Sequence, residues 1–300
     1  MASVIKIIPK IFGGLGNQLF CYAAARRLAL HNSAELVIDD RSGFVNDYIY
    51  NRHYQLDKFH IKARKATIKE QIGSFSRLRR SFICRYNNFL NFEHRTYIQQ
   101  QGNDFEPRLL QIKPRGTLYL NGYWQSEDYF KDVEHTIRGD LRIKPPIDET
   151  NQAMANMIMY RQAVALHVRY FDSPNVLGFN NIATDYYVRA VKKMEMLVPD
   201  AHYFVFSDYP EAACDRLPLP DSRITCVSHN RGDENAYADL WLMTQCRHFI
   251  IANSTFSWWG AWLADNPGKH VIAPERGPLG ENLVSAWGFR GLLNKEWMKL

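Results

Sequence analysis

The sequence lacks the features of a membrane-spanning, exported or fibrous protein. Its 300 residues contain no uninterrupted apolar run of the roughly 18 residues that a membrane-spanning helix needs. Lys6, Pro9 and Lys10 interrupt the amino terminus, where an export signal would have an unbroken apolar core. Seventeen glycines and thirteen prolines are too few for a disordered chain, and 46% of the residues are hydrophobic. These absences predict a folded protein that stays in the cytoplasm.

Paired cysteine motifs and metal-ligand patterns are also missing from the sequence. The five cysteines are odd in number and include no Cys-x-x-Cys, so we expect thiols and neither a disulfide framework nor a four-cysteine zinc site. No Asp-x-Asp follows a predicted strand, and no His-Glu-x-x-His is present. We therefore expect no metal ion and no other cofactor.

Positive charge is concentrated in one segment, residues 62–95. This basic segment holds nine Lys/Arg and two Glu, whereas the whole chain carries a net charge of only +6. A solvated helical face is the simplest interpretation. Apolar residues such as Phe82 and Ile83, which lie among the cations, also suit contact with an anionic surface at the inner face of the membrane. No nucleic-acid recognition motif is present, so nucleic acid is not an expected partner.

Strand and helix patterns predict an α/β fold in two domains. In the first half, strand patterns at 4–8, 36–40 and 117–122 alternate with helical patterns at 17–31 and 128–142. In the second half, strand patterns at 163–168, 203–207, 224–227, 248–252 and 270–273 alternate with helical patterns at 185–196, 234–246 and 257–264. Such alternation is typical of βαβ units with a parallel sheet. The stiff break at Lys144-Pro145-Pro146 separates a domain of residues 1–145 from one of residues 146–300.

A glycine loop follows the first predicted strand. Parallel sheets bind ligands at the carboxyl ends of their strands, so this loop is a candidate site. Gly14 and Gly16 lie in the loop that leads into the helical pattern 17–31, and their backbone N–H groups can approach an anion. The loop lacks the third glycine of a dinucleotide fingerprint. Because Asp39 lies where a ribose-binding acid would, a redox function remains an alternative at this point.

Two further strand ends carry polar side chains. His167 and Arg169 share one face of a strand end and Asp172 follows them; the three residues fit either a structural ion pair or a phosphate site. The position of this group at the carboxyl end of a strand favours the phosphate site. A polar turn, 253–257, runs into a predicted helix, where one Ser or Thr would be enough for capping. Because the turn holds four small polar residues, it favours an anion site.

Five stretches of the chain together resemble the GDP-fucose-dependent α-1,2-fucosyltransferases. The stretches are Gly13-Gly14-Leu15-Gly16-Asn17-Gln18-Leu19-Phe20; Leu120-Asn121-Gly122-Tyr123-Trp124-Gln125; His167-Val168-Arg169; Phe206-Ser207-Asp208; and residues 239–262 with Asn253-Ser254-Thr255-Phe256-Ser257-Trp258-Trp259-Gly260. They span nearly the whole chain in the family's order. The resemblance implies a GT-B fold of two facing Rossmann-like domains, with the acceptor mostly on the first and GDP-fucose on the second.

The resemblance also implies an inverting transfer of L-fucose from GDP-β-L-fucose to the 2-hydroxyl of a terminal β-galactoside, on a free or lipid-linked oligosaccharide. His167 is then expected near the guanine, Arg169 at the β-phosphate, and Asp239 as the acid that accepts from guanine N1–H and the 2-amino group. The residues expected to bind the donor are Gly14, Gly16, His167, Asp239, Asn253, Ser254, Thr255, Phe256 and Ser257, and those expected at the catalytic centre are Asn17, Arg169 and Asp172.

One motif departs from the family pattern. Tyr170-Phe171 replace the Arg-Gly of His-Val-Arg-Arg-Gly-Asp, so Arg169 with a helix terminus, or another cation, must balance the diphosphate charge. Asp172 is equally suited to be a general base or a structural partner of Arg169. Two other functions stay open: a fucosyltransferase of another linkage, such as α-1,6, and a lectin-like protein that binds galactosides without turnover.

Overall fold

The computed structural model describes residues 4–71, 77–171, 181–275 and 292–300, except for the side chains of residues 77–80, 84 and 88. The chain forms two compact units, one of residues 1–142 and 290–292 and the other of residues 143–289 and 293–300. The acceptor and donor roles expected for the two domains stay predictions. The predicted catalytic candidate Asp172 lies outside the described residues.

The first unit is built on a five-stranded parallel sheet. Its strands are β1 (Lys6–Pro9), β2 (Glu35–Ile38), β3 (Arg64–Lys65), β4 (Tyr97–Gln99) and β5 (Thr117–Asn121), in the order β3-β2-β1-β5-β4. Its helices are α1 (Leu15–His31), α2 (Arg77–Phe89), α3 (Arg108–Gln111) and α4 (Glu134–Asp140). Nearly all of α1, which is rich in Ala and Leu, is buried. The pairing of Pro9 with Leu120 brings the carboxyl ends of β1 and β5 together.

The second unit has a six-stranded parallel sheet. Its strands are β6 (Gln162–Val168), β7 (Ala201–Ser207), β8 (Ile224–Cys226), β9 (His248–Ile250), β10 (Val271–Ala273) and β11 (Met298–Lys299), in the order β11-β10-β9-β6-β7-β8. Its helices are α5 (Glu149–Met159), α6 (Thr184–Leu197), α7 (Pro210–Asp215), α8 (Ala236–Gln245) and α9 (Thr255–Leu263). The unit's first strand, β6, therefore lies in the middle of the sheet, which is the strand order of the Rossmann fold. The strands β6 and β7 are apolar on both faces because helices cover both faces of such a sheet.

Two expectations from the sequence are wrong. The basic segment is not helical throughout, because Arg64 and Lys65 form the edge strand β3, where Glu35 and Glu70 neutralise Arg64. Its described helix is α2, Arg77–Phe89. Cys214 and Cys226 form a disulfide, with their Cα atoms 6.4 Å apart, because the chain between them folds back beside β7. Cys21 and Cys246 are buried thiols, as expected.

Within the described residues, every helix is too short or too polar to cross a lipid bilayer.

Candidate functional site

Two predicted motifs of the second unit lie where the strand order of its sheet reverses. The strands β6 and β9 are neighbours, with Leu166 paired to Ile250, and the chain leaves this pair toward opposite edges of the sheet. Ligands of open α/β sheets bind in the crevice outside the carboxyl ends of two such strands. His167 lies near the end of β6, and the turn 253–257 follows β9. The structure thus places the two predicted motifs at one crevice.

His167 links the two strand ends. Its imidazole is buried and lies 5.6 Å from the ring of Phe256, between ring centroids. Burial, together with the positive charge of Arg169, lowers the pKa of His167 to about 3, so the ring is neutral at pH 7. Its Nδ1 atom has no hydrogen-bond partner among the described residues. A buried polar atom of this kind is costly unless a ligand or water completes it.

Arg169 is held by a carboxylate that follows the neighbouring strand β7. Its Nη1 atom lies 3.1 Å from Oδ2 of Asp208, whose Oδ1 accepts a hydrogen bond from the Tyr170 backbone N–H at 3.1 Å. The Arg169 side chain remains 28% exposed, so a ligand could reach it. In the sequence, Asp208 belongs to one of the stretches that resemble the fucosyltransferases. No role could be assigned to it there, because its partner Arg169 follows a different strand.

Tyr170 occupies the position of the family's second arginine. Its ring is buried, and its hydroxyl donates to the Ala212 carbonyl at 3.4 Å. The guanidinium of Arg216 lies 5.4 Å from the centre of this ring. The guanidinium of Arg216 is therefore a second cation near Arg169, and it lies beside Tyr170, where the resemblance implies an arginine.

Two hydroxyl groups of the turn before α9 make hydrogen bonds within the protein. Ser254 caps the helix, its Oγ accepting from the Phe256 backbone N–H at 3.3 Å, and Ser257 donates its own hydroxyl to the Ser254 carbonyl at 3.3 Å. Ser257 is fully buried, so its hydroxyl is committed to the protein. Thr255 and Phe256 are half-buried, and Asn253 is buried. The first-turn N–H groups of α9 and Thr255 are the groups best suited to an anion.

Asp239 lies in the first turn of α8 and is half-buried. Its Oδ1 accepts a hydrogen bond from Nδ2 of Asn230 at 2.9 Å. Burial raises the pKa of Asp239 to about 7, and the Asn230 donor opposes this rise only in part. The carboxyl group is therefore poised between its neutral and charged forms at physiological pH.

In the first unit, the glycine loop is fastened by amide side chains. Gly13 has a φ of +75°, and a Cβ there would lie 3.0 Å from Nδ2 of Asn17 and 3.1 Å from the Tyr123 ring, so a larger residue would not fit. The buried Gln18 donates to the Gly13 carbonyl at 2.9 Å. Gln125 donates to Oδ1 of Asn17 at 2.7 Å. Gly14 precedes α1 directly and Gly16 is buried in its first turn, so the loop is rigid.

The turn that delivers Gln125 is held in an unusual conformation. Trp124 has a φ of +55° although it is a large, buried residue. Oε1 of Gln100 accepts from the N–H groups of both Tyr123 and Trp124, at 2.8 and 3.0 Å. Strain of this kind tends to persist where function requires a fixed geometry. The turn holds Gln125 against Asn17, the predicted catalytic residue of this unit.

A metal site is not formed by the described residues, among which no three His, Cys, Asp or Glu side chains are grouped to hold an ion. Metal independence of the activity stays a prediction. The groups in the second unit that can meet a diphosphate are the Arg169 guanidinium and the N-terminus of α9.

Two Rossmann-like parallel sheets in one chain are the architecture of the GT-B fold class. The fucosyltransferase NodZ from Bradyrhizobium has this fold and matches with a TM-score of 0.54 at 15% identity, over 89% of this chain and 97% of that one. NodZ α-1,6-fucosyltransferase soaked with GDP-fucose matches with a TM-score of 0.51 at 16% identity, over 87% and 93% of the two chains.

The family model of glycosyl transferase family 11 matches residues 10–278, and the chain belongs to this family. An α-1,2-colitosyltransferase of Escherichia coli is 28% identical over 277 residues, which cover 89% of this chain and 91% of the relative. The O-antigen biosynthesis glycosyltransferase WbnK of Escherichia coli is 26% identical over 287 residues, 90% of this chain and 94% of the relative.

Proposed function

We propose that the protein transfers L-fucose from GDP-β-L-fucose to the 2-hydroxyl of a terminal β-galactoside, forming an α-1,2 linkage with inversion. The observation that carries the proposal is the convergence of His167, Arg169 and the α9 N-terminus at the β6–β9 crevice. A neutral imidazole, a guanidinium fork and the positive end of a helix dipole suit a nucleotide diphosphate whose charge is balanced without a metal ion.

Nucleotide recognition is assigned to Asp239 and His167. In its charged form the Asp239 carboxylate accepts from guanine N1–H and the 2-amino group together, a donor pair that adenine and uracil lack. The unpartnered Nδ1 of His167 provides a further polar contact near the base. Arg169, Thr255 and the α9 N-terminus are assigned to the diphosphate. Ser257 is left out because its hydroxyl already serves the helix.

The transfer forms one bond and breaks another at the anomeric carbon. The acceptor 2-hydroxyl oxygen bonds to C1 of fucose from the face opposite the phosphate, and GDP leaves with the electron pair of the C1–O bond. Arg169 stabilises the charge that gathers on the β-phosphate as this bond breaks. The hydroxyl proton passes to a base, for which Asp172 is the sequence candidate, and Asn17 with its Gln125 partner is assigned to the acceptor side.

A second donor, GDP-colitose, is favoured by the name of one relative, the α-1,2-colitosyltransferase. Colitose is fucose without its 3-hydroxyl, so the same crevice would accommodate either sugar. The O-antigen function named for WbnK makes a lipid-linked oligosaccharide a reasonable acceptor for this chain as well.

The decisive experiment incubates the purified protein with GDP-fucose, GDP-colitose and other GDP-sugars against β1,3- and β1,4-galactosides and measures GDP release. We expect release that depends on the acceptor, and a product in which linkage analysis finds the sugar on the galactose 2-hydroxyl. Galactoside binding without GDP release would identify a lectin-like protein, and a 6-linked product would identify the α-1,6 alternative.

We further propose that α2 rests on an anionic membrane surface, where a lipid-linked acceptor would be found. Phe82, Tyr86 and Phe89 are 72%, 56% and 83% exposed and recur at the spacing of one helix face, with exposed Arg85 beside them. On the opposite side the buried Asn87 accepts from the Thr96 N–H at 2.7 Å, which ties the helix to β4. Residues 77–89 include four arginines and no acid. Exposed aromatic side chains with cations around them are typical of helices that lie in a lipid interface.

A further inference from the structure

Three side chains of the second unit form a continuous amide and carboxylate network that ends at Asp239. Asn151 in α5 and Asn230 after β8 form a reciprocal pair: each donates from Nδ2 to Oδ1 of the other at 2.9 Å. The second N–H of Asn230 donates to Oδ1 of Asp239, also at 2.9 Å. Asn230 is the one described residue that donates to this carboxyl group.

Asp148 lies at the end of this network opposite Asp239, and it sets the direction of the hydrogen bonds between them. Asp148, the N-cap of α5, only accepts when ionised, and its two oxygens lie 3.1 and 3.0 Å from Nδ2 of Asn151. Hydrogen bonds to the Asn151 backbone N–H and side chain lower the pKa of Asp148, so this carboxyl is charged at neutral pH. The Asn151 amide must therefore turn its nitrogen toward Asp148 and its oxygen toward Nε2 of His229, 3.1 Å away.

The fixed orientation of Asn151 determines what Asn230 presents to Asp239. If the Asn230 amide were flipped, its oxygen would face the Asp239 oxygen and its nitrogen would face the Nδ2 donor of Asn151. Both contacts would be repulsive. The network therefore presents an N–H to the Asp239 carboxylate.

We propose that Asn230, oriented by its pair with Asn151, is a positioning residue that holds the Asp239 carboxylate for recognition of the guanine base. This inference rests on the proposed function, in which Asp239 reads the base. One donor from the protein anchors Oδ1 and fixes the plane of the carboxylate. The remaining acceptor capacity, the whole of Oδ2 and a lone pair of Oδ1, is then aligned for the two parallel donors of guanine.

The test compares GDP with IDP, which has the same base N–H but lacks the 2-amino group. Isothermal titration calorimetry on the full chain should give a GDP preference of about ten- to hundredfold, the range for a hydrogen bond to a charged acceptor. In Asn230→Leu we expect this preference to fall to about threefold or less, with a smaller loss of IDP affinity because IDP keeps only the N1–H contact to Asp239. A structural role alone would weaken both nucleotides equally and leave their ratio unchanged, which would overturn the inference.

Two further variants keep the outcome interpretable. The double variant Asn151→Leu/Asn230→Leu removes the amide pair as a unit, so that neither amide is left facing an apolar side chain, and its melting temperature shows whether the fold tolerates the loss of the Asn151 contacts to Asp148 and His229. Asp239 still has no donor in this variant, so the GDP preference should stay low. Asp239→Asn tests the proposed function separately. If Asp239→Asn keeps the full GDP preference, base reading by Asp239 fails; if it loses the preference and both Asn230 variants keep it, only the positioning role fails.

Discussion

Asp208 binds Arg169 and the backbone of the next residue at the same time. Its Oδ2 lies 3.1 Å from Nη1 of Arg169, and its Oδ1 lies 3.1 Å from the Tyr170 N–H. Two contacts to two oxygens fix the carboxylate plane, and the carboxylate in turn fixes one edge of the guanidinium. The protein thus orients the Arg169 side chain by itself, which suits the proposed role of Arg169 in stabilising phosphate charge.

Replacing Arg169 with lysine separates charge from geometry. Arg169→Lys keeps the positive charge but loses the planar donor fork, so we expect kcat to fall about 10²–10³-fold, or roughly 2.7–4 kcal/mol, with a smaller change in GDP-fucose affinity. Steady-state kinetics and the melting temperature should be measured on the same preparation. Arg189→Lys, which changes an exposed arginine paired with Asp185, is the matched control and should leave both unchanged. Normal turnover with a lowered melting temperature in Arg169→Lys would make Arg169 a structural residue.

The pH dependence of GDP binding should follow Asp239. The pKa of this group is raised to about 7 in the free protein, and guanine needs its charged form. Binding therefore releases a proton below pH 7, so the GDP dissociation constant should rise about tenfold for each pH unit below 7 and be level above it. Calorimetry in buffers of different ionisation enthalpy measures both the affinity and the released proton. Asp239→Asn should bind weakly at every pH, and a slope that persists in this variant would assign the titration to another group.

Turnover should not depend on a divalent cation. In the proposed site Arg169 and the N-terminus of α9 balance the diphosphate, and the described residues hold no acidic cluster that would bind an ion. We expect EDTA to leave the initial rate nearly unchanged and added magnesium or manganese to raise it little. Complete loss of activity on chelation, restored by one cation, would contradict this assignment of the phosphate charge.

The exposed aromatic face of α2, formed by Phe82, Tyr86 and Phe89, should determine binding to vesicles and should not affect catalysis. In Phe82→Ser/Phe89→Ser we expect sedimentation with phosphatidylglycerol vesicles to fall several-fold, while kcat on a soluble galactoside stays the same. Met159→Ser/Tyr160→Ser removes two equally exposed apolar side chains from the second unit and should bind vesicles normally. If the unmodified protein does not bind the vesicles, and gel filtration finds it to be a dimer that the α2 variant converts to a monomer, the face is a contact between copies of this chain.

Patterns within single segments predicted the fold well. The alternation of apolar strands and helices in the second half indicated the parallel sheet, because residues at a fixed spacing along one element share a face. The basic segment was mispredicted because the edge strand β3 depends on partners outside it: Arg64 is neutralised by Glu35, in a different strand. Local charge alone suggested a continuous helical face.

The predicted site was incomplete for the same physical reason. His167 and Asp239 belong to recognisable motifs, whereas the partners that set their properties come from elsewhere in the fold. Asn230 and Asn151 meet only when α5 packs against α8, and neither residue has a local pattern that distinguishes it. The capping by Ser254 was foreseen as an alternative, but the burial of Ser257 could be seen only in the folded helix.

The central position of β6 makes nucleotide binding a measure of complete folding in the second unit. β6 forms one wall of the crevice, and β9 forms the other only after the chain has added β7 and β8 on the far side. A fragment that ends before β9 therefore holds half a binding site and should show no thermal shift with GDP. In the intact chain, GDP at a hundred times its dissociation constant should stabilise the native state by about 2.7 kcal/mol. The rise in melting temperature thus reports the fraction of molecules in which both walls have formed.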